Sequence, residues 1–122
     1  MLKDDLYTIT AFTETDGQIH STIRLNAQHR IFEGHFPGQP VLPGVCMVQI
    51  IKELVETATG KTWTMSQSDY LKFLSPIIPA DGQAIEATVT MEQKEQDELF
   101  VTGTLLCDER VCFKSKATFT VN

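Results

Sequence analysis

Phe32-Glu33-Gly34-His35-Phe36-Pro37-Gly38-Gln39-Pro40-Val41-Leu42-Pro43-Gly44-Val45 is the stretch that organises the rest of the chain. Its first half is too rich in glycine and proline for a helix or a central strand, because proline cannot donate to a ladder and glycine leaves the backbone loose. Its second half begins a helix, because Pro43 has the φ of a first helical residue and good helix formers follow as far as Thr59-Gly60. The stretch therefore predicts a loop that brings His35 close to the start of a helix.

The position of His35 is suited to chemistry on a carbonyl group. The first amides of a helix have no partner within the helix, and partial positive charge collects there. An imidazole beside such amides is a plausible setting for a reaction in which negative charge develops on an oxygen. A loop histidine is more often a hydrogen-bonded structural residue, so the residues alone leave both interpretations open.

Length and composition indicate one globular domain over residues 1–122, with a hydrophobic fraction of 42% and a charged fraction of 21%. A chain of this size is small for an enclosed active site, so we expect a pocket built between two subunits. No apolar run approaches the ~20 residues of a membrane span, and residues 1–5 do not form a signal-peptide core. A net charge of -6 argues against nucleic acid. Cys46, Cys107 and Cys112 lack metal-binding spacing, so we expect reduced thiols, no metal and a cytoplasmic location.

The chain on both sides of the loop alternates as strands do. Residues 6–15 and 19–25 predict two antiparallel strands joined by a hairpin turn at Asp16-Gly17. Residues 43–58 are the only convincing helix, with Val45, Val48, Ile51 and Val55 at helical spacing. Four further strands are predicted, at residues 62–73, 85–91, 99–107 and 111–121, with a turn at 79–82. This order predicts an α+β fold in which a curved antiparallel sheet wraps around one long central helix.

The loop resembles the active-site loop of the 3-hydroxyacyl-acyl-carrier-protein dehydratases, which are hot-dog-fold lyases of fatty-acid synthesis. The matching residues are Gly34-His35-Phe36-Pro37-Gly38 and Pro40-Val41-Leu42-Pro43-Gly44-Val45. Farther along, Leu71-Lys72-Phe73, Pro76, Pro79 and Asp81 resemble the segment that follows the helix in that family. The resemblance covers nearly the whole chain in order. It implies a hot-dog fold and a dimer whose sheets join edge to edge, with two pockets at the interface.

The resemblance also implies roles for individual residues. His35 matches the base that removes a proton from the carbon next to the thioester carbonyl. The amide of Gly44 matches the donor that holds the thioester oxygen, and Phe36, Gly44 and Val45 match residues that contact substrate. The first two roles agree with what the residues predict by themselves.

One position departs from the family pattern. The family carries an acidic residue fourteen positions after the histidine, which protonates the leaving hydroxyl in the partner's pocket; here that position is Gln49, and an amide does not give up a proton. Four residues later, where the family usually shows glutamine, this chain has Glu53 on the same helix face. In one hypothesis Glu53 supplies the acid, with a pKa raised by apolar neighbours, and Gln49 orients it. In the other, both belong to a solvated stripe with Lys52 and Glu56, and dehydration is lost.

These features predict a dehydratase acting on 3-hydroxyacyl thioesters of acyl carrier protein in fatty-acid or related lipid or polyene synthesis. We expect no metal or redox cofactor, and a homodimer or larger homo-oligomer. One alternative is a catalytically impaired hot-dog subunit that binds acyl chains or pairs as a heterodimer with an active homologue. Another is an acyl thioesterase, since the same fold serves that reaction.

Several other side chains have predicted positions. Lys114 and Lys116 share a strand face and are candidates, with Arg24, Arg30 and Lys72, for contacts to an acidic carrier protein. The depth of the acyl pocket is predicted to depend on side chains such as Leu42, Met47, Ile51 and Trp63. His20 and His29 are predicted at the surface. Cys46 and four phenylalanines are predicted to be buried: Phe12, Phe73, Phe113 and Phe119.

Overall fold

The computed structural model, which describes residues 1–80 and 83–122, contains a six-stranded antiparallel sheet with a helix packed on it. The elements in chain order are β1 Tyr7–Thr15, β2 Gln18–Leu25, α1 Ile31–Gly34, α2 Gly44–Thr59, β3 Trp63–Phe73, β4 Ala84–Glu95, β5 Glu98–Cys107 and β6 Arg110–Val121. The predicted order of two strands, a helix and four strands is confirmed. The predicted turn at 79–82 includes Asp81 and Gly82, which lie outside the described residues.

The strands are arranged in the order β1-β2-β4-β5-β6-β3, and each neighbouring pair is antiparallel. β1 and β3 therefore form the two edges of the sheet. The short helix α1 lies inside the stretch that was expected to be an irregular loop, so that expectation was incomplete.

The hairpin between β1 and β2 turns at the predicted dipeptide. Asp16 and Gly17 both have positive φ values, 52° and 81°, which is the conformation that a two-residue hairpin with right-handed twist requires. The carbonyl of Gly17 accepts a hydrogen bond from the Met91 amide at 2.7 Å. The turn is thereby fixed against β4.

α2 begins one residue later than predicted. Pro43 has an extended backbone, with a ψ of 143°, and occupies the N-cap position, so Gly44 is the first helical residue. At the other end, Gly60 has the left-handed conformation of a C-cap, with a φ of 70°. With 16 residues, α2 has the number of residues that its predicted bounds gave, and this length is close to the average for a globular protein. Among the described residues, no helix has both the length and the apolar content that a membrane crossing requires.

One face of α2 packs against the sheet, contacting β3 and β4. Its buried residues are Cys46, Met47, Ile50, Ile51, Glu53, Leu54 and Val55. Six of the seven are apolar, as expected for a core face, and Glu53 is the exception. The helix also lies close to β5, because a Cβ atom at Gly103 would be 2.9 Å from Cδ1 of Ile51.

The aromatic side chains divide between the core and the end of β3. Phe113 and Phe119 are buried, as predicted, and Phe12 is partly buried against the core. Phe73 was predicted in the core but is 53% exposed. It is the last residue of an edge strand, where neighbouring strands no longer cover it on both sides.

Replacing Gly17 with alanine is expected to destabilise the protein by about 1–3 kcal/mol. The added Cβ would lie 2.6 Å from the carbonyl oxygen of Met91, and alanine is strained at this positive φ. Urea denaturation measures the change in the free energy of unfolding. Gly34→Ala is the matched control, because a Cβ there meets nothing within 4 Å. Equal stability of the two variants would contradict the expectation.

Candidate active site

The loop after α1 holds His35 through the backbone of Val41. The Val41 amide donates to the His35 carbonyl at 2.9 Å, and Nδ1 of the His35 ring lies 3.2 Å from the Val41 carbonyl oxygen. A carbonyl oxygen accepts only, so this contact places the ring proton on Nδ1. Nε2 then carries the free lone pair, which is the form required of a base. The Phe36 ring stacks on the imidazole with centroids 4.2 Å apart.

The start of α2 offers free amide groups close by in the chain. Leu42 donates to the carbonyl of Ile77 at 2.8 Å, which ties the loop to the segment after β3. The carbonyl of Pro43 accepts from Cys46 at 3.0 Å. The amides of Gly44 and Val45 have no hydrogen-bond acceptor among the residues that the structure describes. They are the donors available to an oxygen that gains negative charge.

A cavity of about 410 Å³ lies beside this helix start. It is lined by Val41, Leu42, Gly44, Met47, Phe73, Leu74, Ser75 and Pro76. A Cβ atom at Gly44 would come within 2.8 Å of the Phe73 ring, so only glycine allows the ring to approach the first turn of the helix. A second cavity of about 530 Å³ is lined by Phe36, Gly38, Gln39, Pro40, Val41 and Ile78. Val41, the partner of His35, lines both.

The residues predicted to contact substrate are distributed between these cavities. Gly44 lines the first and Phe36 the second, whereas the Val45 side chain is 74% exposed and lines neither. Leu42 and Met47 line the first cavity, as the pocket-depth prediction requires.

The other two predicted depth residues lie elsewhere in the core. Ile51 packs against Gly103 of β5, and the Trp63 indole donates to Oγ1 of Thr59 at 2.9 Å. Neither lines the two cavities beside the loop.

Glu53 is the centre of a buried hydrogen-bond cluster. Its side chain is 0% exposed and accepts four hydrogen bonds. The amides of Leu2 and Lys3 donate at 2.9 Å each, and the Tyr7 hydroxyl donates at 2.8 Å. The fourth donor is Nε2 of Gln49, at 2.7 Å. The carboxylate therefore joins the N-terminal segment, β1 and α2.

These donors decide the charge of Glu53. Burial is the largest single influence and raises the pKa of its carboxyl group, but the four hydrogen bonds together outweigh it and lower the pKa below the usual value. Burial, followed by the hydrogen bond to Glu53, raises the pKa of Tyr7, which therefore stays a donor. Glu53 is thus an anion at neutral pH and acts only as an acceptor.

Both hypotheses for Glu53 need correction. The expected raised pKa is wrong, because the surroundings include four donors as well as apolar groups. The solvated-stripe interpretation is wrong for Glu53, which is fully buried, although Lys52 and Glu56 do form a partly exposed ion pair at 4.0 Å. Gln49 is half-buried and directs its amide nitrogen at the carboxylate.

The partners of Glu53 were not found by reading the sequence. The helix sequence did indicate that Glu53 is buried. Cys46, Ile50 and Glu53 are spaced by four and three residues, so Glu53 shares a face with apolar residues. An acid on that face needs donors from elsewhere in the chain. Nothing local in the sequence indicates that Leu2, Lys3 and Tyr7 supply them.

The remaining predicted side chains fall mostly where expected. His20 is exposed, and Cys46 is 4% exposed, with a thiol pKa raised by burial and by the charge of Glu53. The surface prediction for His29 was wrong, because its side chain is 12% exposed. It lies within hydrogen-bond distance of Asp5 and accepts from the Ile31 amide at 3.0 Å, so it holds the turn before α1.

Comparison with known proteins identifies the family. The family model described as ApeI-like, ApeI dehydratase, matches residues 11–113. The chain belongs to the ApeI-like dehydratase family. Among curated relatives, the 3-hydroxyacyl-(acyl-carrier-protein) dehydratase FabZ of Listeria welshimeri is 29% identical over 73% of this chain and 69% of its own length. The FabZ dehydratase of Lactobacillus helveticus is 28% identical over 82% of this chain and 71% of its own length.

Solved structures show the same fold. The dehydratase heterocomplex ApeI:P from Xenorhabdus doucetiae superposes with a TM-score of 0.78 at 21% identity, covering 92% of this ApeI-like chain and 96% of that one. A hypothetical thioesterase with coenzyme A from Streptococcus pneumoniae superposes with a TM-score of 0.68 at 13% identity. The match covers 98% of this chain and 91% of the thioesterase chain. The hot-dog fold that the sequence resemblance implied is confirmed.

Glu53→Gln is expected to lower the free energy of unfolding by about 2–4 kcal/mol at pH 7, because an amide cannot accept all four hydrogen bonds. Since the folded-state pKa of Glu53 is lowered, its ionised form stabilises the wild type above the unfolded pKa of about 4.3. That contribution is lost as the pH falls through the folded-state value.

Urea denaturation between pH 7 and pH 3 measures this pH dependence. Glu53→Gln is expected to have a flatter profile than the wild type over the acidic range, because the titrating group is absent. Glu92→Gln, at an exposed position on β4, is the matched control and is expected to keep the wild-type profile. A wild-type profile for Glu53→Gln would show that the carboxylate does not anchor the fold.

Proposed function

We propose that this protein is a dehydratase of 3-hydroxyacyl thioesters carried by acyl carrier protein, in fatty-acid or related lipid synthesis. The observation that carries the proposal is the contact of His35 Nδ1 with the Val41 carbonyl, which leaves Nε2 as a base beside the cavity-lining loop. Membership of the ApeI-like dehydratase family and the FabZ relatives support the reaction class.

The first step uses the loop and the helix start. Nε2 of His35 takes the proton from the carbon next to the thioester carbonyl, and negative charge moves to the thioester oxygen. The free amides of Gly44 and Val45 donate to that oxygen, where the helix dipole also favours negative charge.

The second step releases hydroxide from the neighbouring carbon and requires a proton. Gln49 does not give one up, and Glu53 is ionised, so neither acts as the acid. The imidazolium of His35 already holds the proton taken in the first step. We propose that it passes this proton to the leaving hydroxyl, so that water departs, a carbon–carbon double bond forms and His35 returns to its starting state.

Gln49 has a positioning role in this scheme. One N–H donates to Glu53, so the second N–H and the side-chain carbonyl remain for the substrate hydroxyl. The Glu53 carboxylate only accepts hydrogen bonds, so it fixes the Gln49 side chain with its nitrogen, and not its oxygen, directed at Glu53.

A second candidate is a subunit that pairs with a homologue supplying the acid. The observation that favours it is that Gln49 stands where the resembling dehydratases have a proton donor, while Glu53, one turn further along the helix, is ionised. The similar ApeI structure is itself part of a heterocomplex. The first candidate, an active dehydratase, predicts a homodimer or larger homo-oligomer. The second predicts a heterodimer with the homologue.

Thioester hydrolysis is less well supported. A thioesterase of this kind needs a carboxylate that activates water, whereas Glu53 is 0% exposed and already holds four donors.

His35→Ala is expected to lower the turnover of a short 3-hydroxyacyl carrier-protein thioester by about 10²–10⁴-fold, because the base and the proton carrier are lost together. Mass spectrometry of the carrier protein, which detects the loss of water, measures turnover. His20→Ala is the matched control, since that side chain is exposed on β2 and outside the cavity lining. Wild-type turnover in His35→Ala would overturn the assignment.

Gln49→Glu is expected to raise turnover about tenfold or more. The new carboxyl would lie next to Glu53, and two carboxyls that close cannot both ionise, so one keeps a proton at neutral pH and supplies an acid. Gln49→Met is the neutral control and is expected to give no rise. If the wild type and Gln49→Glu are both inactive alone but turn over substrate when paired with a homologue, the mixed-assembly candidate is correct.

A further inference from the structure

Residues 2–7 fold into a compact turn that leads into β1, and we call it the first turn. The Leu6 amide donates to the Leu2 carbonyl at 2.7 Å, and the Asp4 amide donates to the Tyr7 carbonyl at 2.6 Å. Asp4 has a positive φ of 66°, a left-handed conformation that aspartate adopts more readily than most residues. Leu6 and Tyr7 are 0% exposed, so the first turn is fixed to the core.

One side of the first turn determines how Gln49 is held. Oε1 of Glu53 accepts from the Lys3 amide and the Tyr7 hydroxyl. Oε2 accepts from the Leu2 amide and from the Gln49 side chain. Three of the four donors to the carboxylate therefore belong to the first turn, and the fourth is the side chain that Glu53 orients.

The other side of the first turn contacts His29. Oδ2 of Asp5 lies 3.2 Å from Nε2 of the imidazole, and Nδ1 accepts from the Ile31 amide at 3.0 Å. Because a backbone amide only donates, Nδ1 carries no proton, so Nε2 is the nitrogen that donates to Asp5. Asp5 thus favours the tautomer that holds Ile31, the first residue of α1. His35 follows directly after α1.

Backbone contacts join the same two segments. The Asn26 amide donates to the Leu6 carbonyl at 2.7 Å, and its side-chain amide donates to the Asp5 carbonyl at 3.2 Å. The His29 carbonyl accepts from the amide of Phe32, which is 6% exposed, at 3.1 Å. The chain between the end of β2 and α1 is therefore bound to the first turn by main-chain as well as side-chain contacts.

The first turn thus connects the two segments that carry the groups of the proposed reaction. His35 and Gln49 themselves are hydrogen-bonded elsewhere in the described ranges 1–80 and 83–122, His35 to Val41 and Gln49 to Glu53. The first turn can therefore influence them only through His29 and Glu53. A displacement of about 1 Å in a reacting group costs up to two orders of magnitude in rate, so such indirect support has consequences for catalysis.

We propose that Tyr7 and Asp5 of the first turn are positioning residues for the dehydration. Tyr7 acts on Gln49 through Glu53, and Asp5 acts on His35 through His29. Each copy of the chain carries its own first turn, so the arrangement serves a pocket built from one subunit or from two. This inference rests on the proposed function.

Tyr7→Phe tests the contact with Glu53. The variant keeps the buried ring and removes the hydroxyl, so Glu53 and the Gln49 amide are held less firmly. We expect kcat for a short 3-hydroxyacyl carrier-protein thioester to fall about three- to tenfold, with KM within about twofold of the wild type. Thr13→Val is the matched control, because it removes a hydroxyl from the exposed side of the same strand. Wild-type kcat in Tyr7→Phe would overturn the role of Tyr7.

The same substitution in the Gln49→Met background separates positioning from folding. If Tyr7 acts through Gln49, Tyr7→Phe is expected to change the kcat of Gln49→Met by less than about twofold, because coupled residues are not additive. A loss of folded protein would lower kcat equally in both backgrounds. Equal losses would therefore contradict the proposal.

Asp5→Leu and Asp5→Asn test the other side. Asp5→Leu removes the acceptor for His29 Nε2 and is expected to lower kcat about threefold or more. Asp5→Asn keeps an oxygen that accepts from Nε2 and is expected to restore kcat. The Asp5 side chain is 67% exposed, so these variants fold even if circular dichroism shows that Tyr7→Phe does not. Wild-type kcat in Asp5→Leu, or an equal loss in Asp5→Asn, would overturn the role of Asp5.

Nuclear magnetic resonance separates this proposal from the proposed function. Tyr7→Phe is expected to shift the ¹⁵N side-chain signal of Gln49, assigned by its absence in Gln49→Met. Asp5→Leu, but not Asp5→Asn, is expected to shift the imidazole signals of His35. If the wild type turns over no substrate, the proposed function fails, while these spectra still test the connection. Unchanged signals of Gln49 and His35 in the variants would overturn the inference.

Discussion

The buried carboxylate of Glu53 is the constraint on which the position of α2, and with it the helix side of the site, depends. A charge that is 0% exposed is tolerated only with enough donors, and here two backbone amides, a phenol and an amide side chain supply them. The cluster fixes the first residues of the chain and β1 to the middle of α2. It thereby sets the position of the helix whose first turn faces the cavity.

The same cluster limits the chemistry. An acceptor-only anion fixes the amide of Gln49, and the position that would hold an acid in the resembling dehydratases becomes a hydrogen-bonding group without a labile proton. His35, the proposed base, is held independently of this cluster by the Val41 carbonyl. In the proposed reaction, His35 and the free amides at the start of α2 serve the removal of the first proton, and the two candidate functions differ in which group supplies the second.

Sequence patterns predicted the fold well because they report local constraints. The Asp16-Gly17 turn, the period-two strands and the start of α2 within one residue all follow from backbone preferences. The same preferences predicted a loop that brings His35 close in the chain to the start of α2. Glu53 was misread because its pKa depends on donors about fifty positions away, at Leu2 and Lys3, and a helical wheel contains no information about them. The exposure of Phe73 depended on the strand order, which places β3 at an edge.

The most direct test of the central claim is the titration of the Glu53 carboxyl carbon by ¹³C nuclear magnetic resonance, assigned by its absence in Glu53→Gln. Because the carboxyl group accepts four hydrogen bonds, we expect it to be ionised at pH 7 and its titration midpoint to lie below the unfolded value of about 4.3. A midpoint above about 6, as in carboxyls that act as general acids, would contradict the anchoring role and return Glu53 to the reaction as the acid.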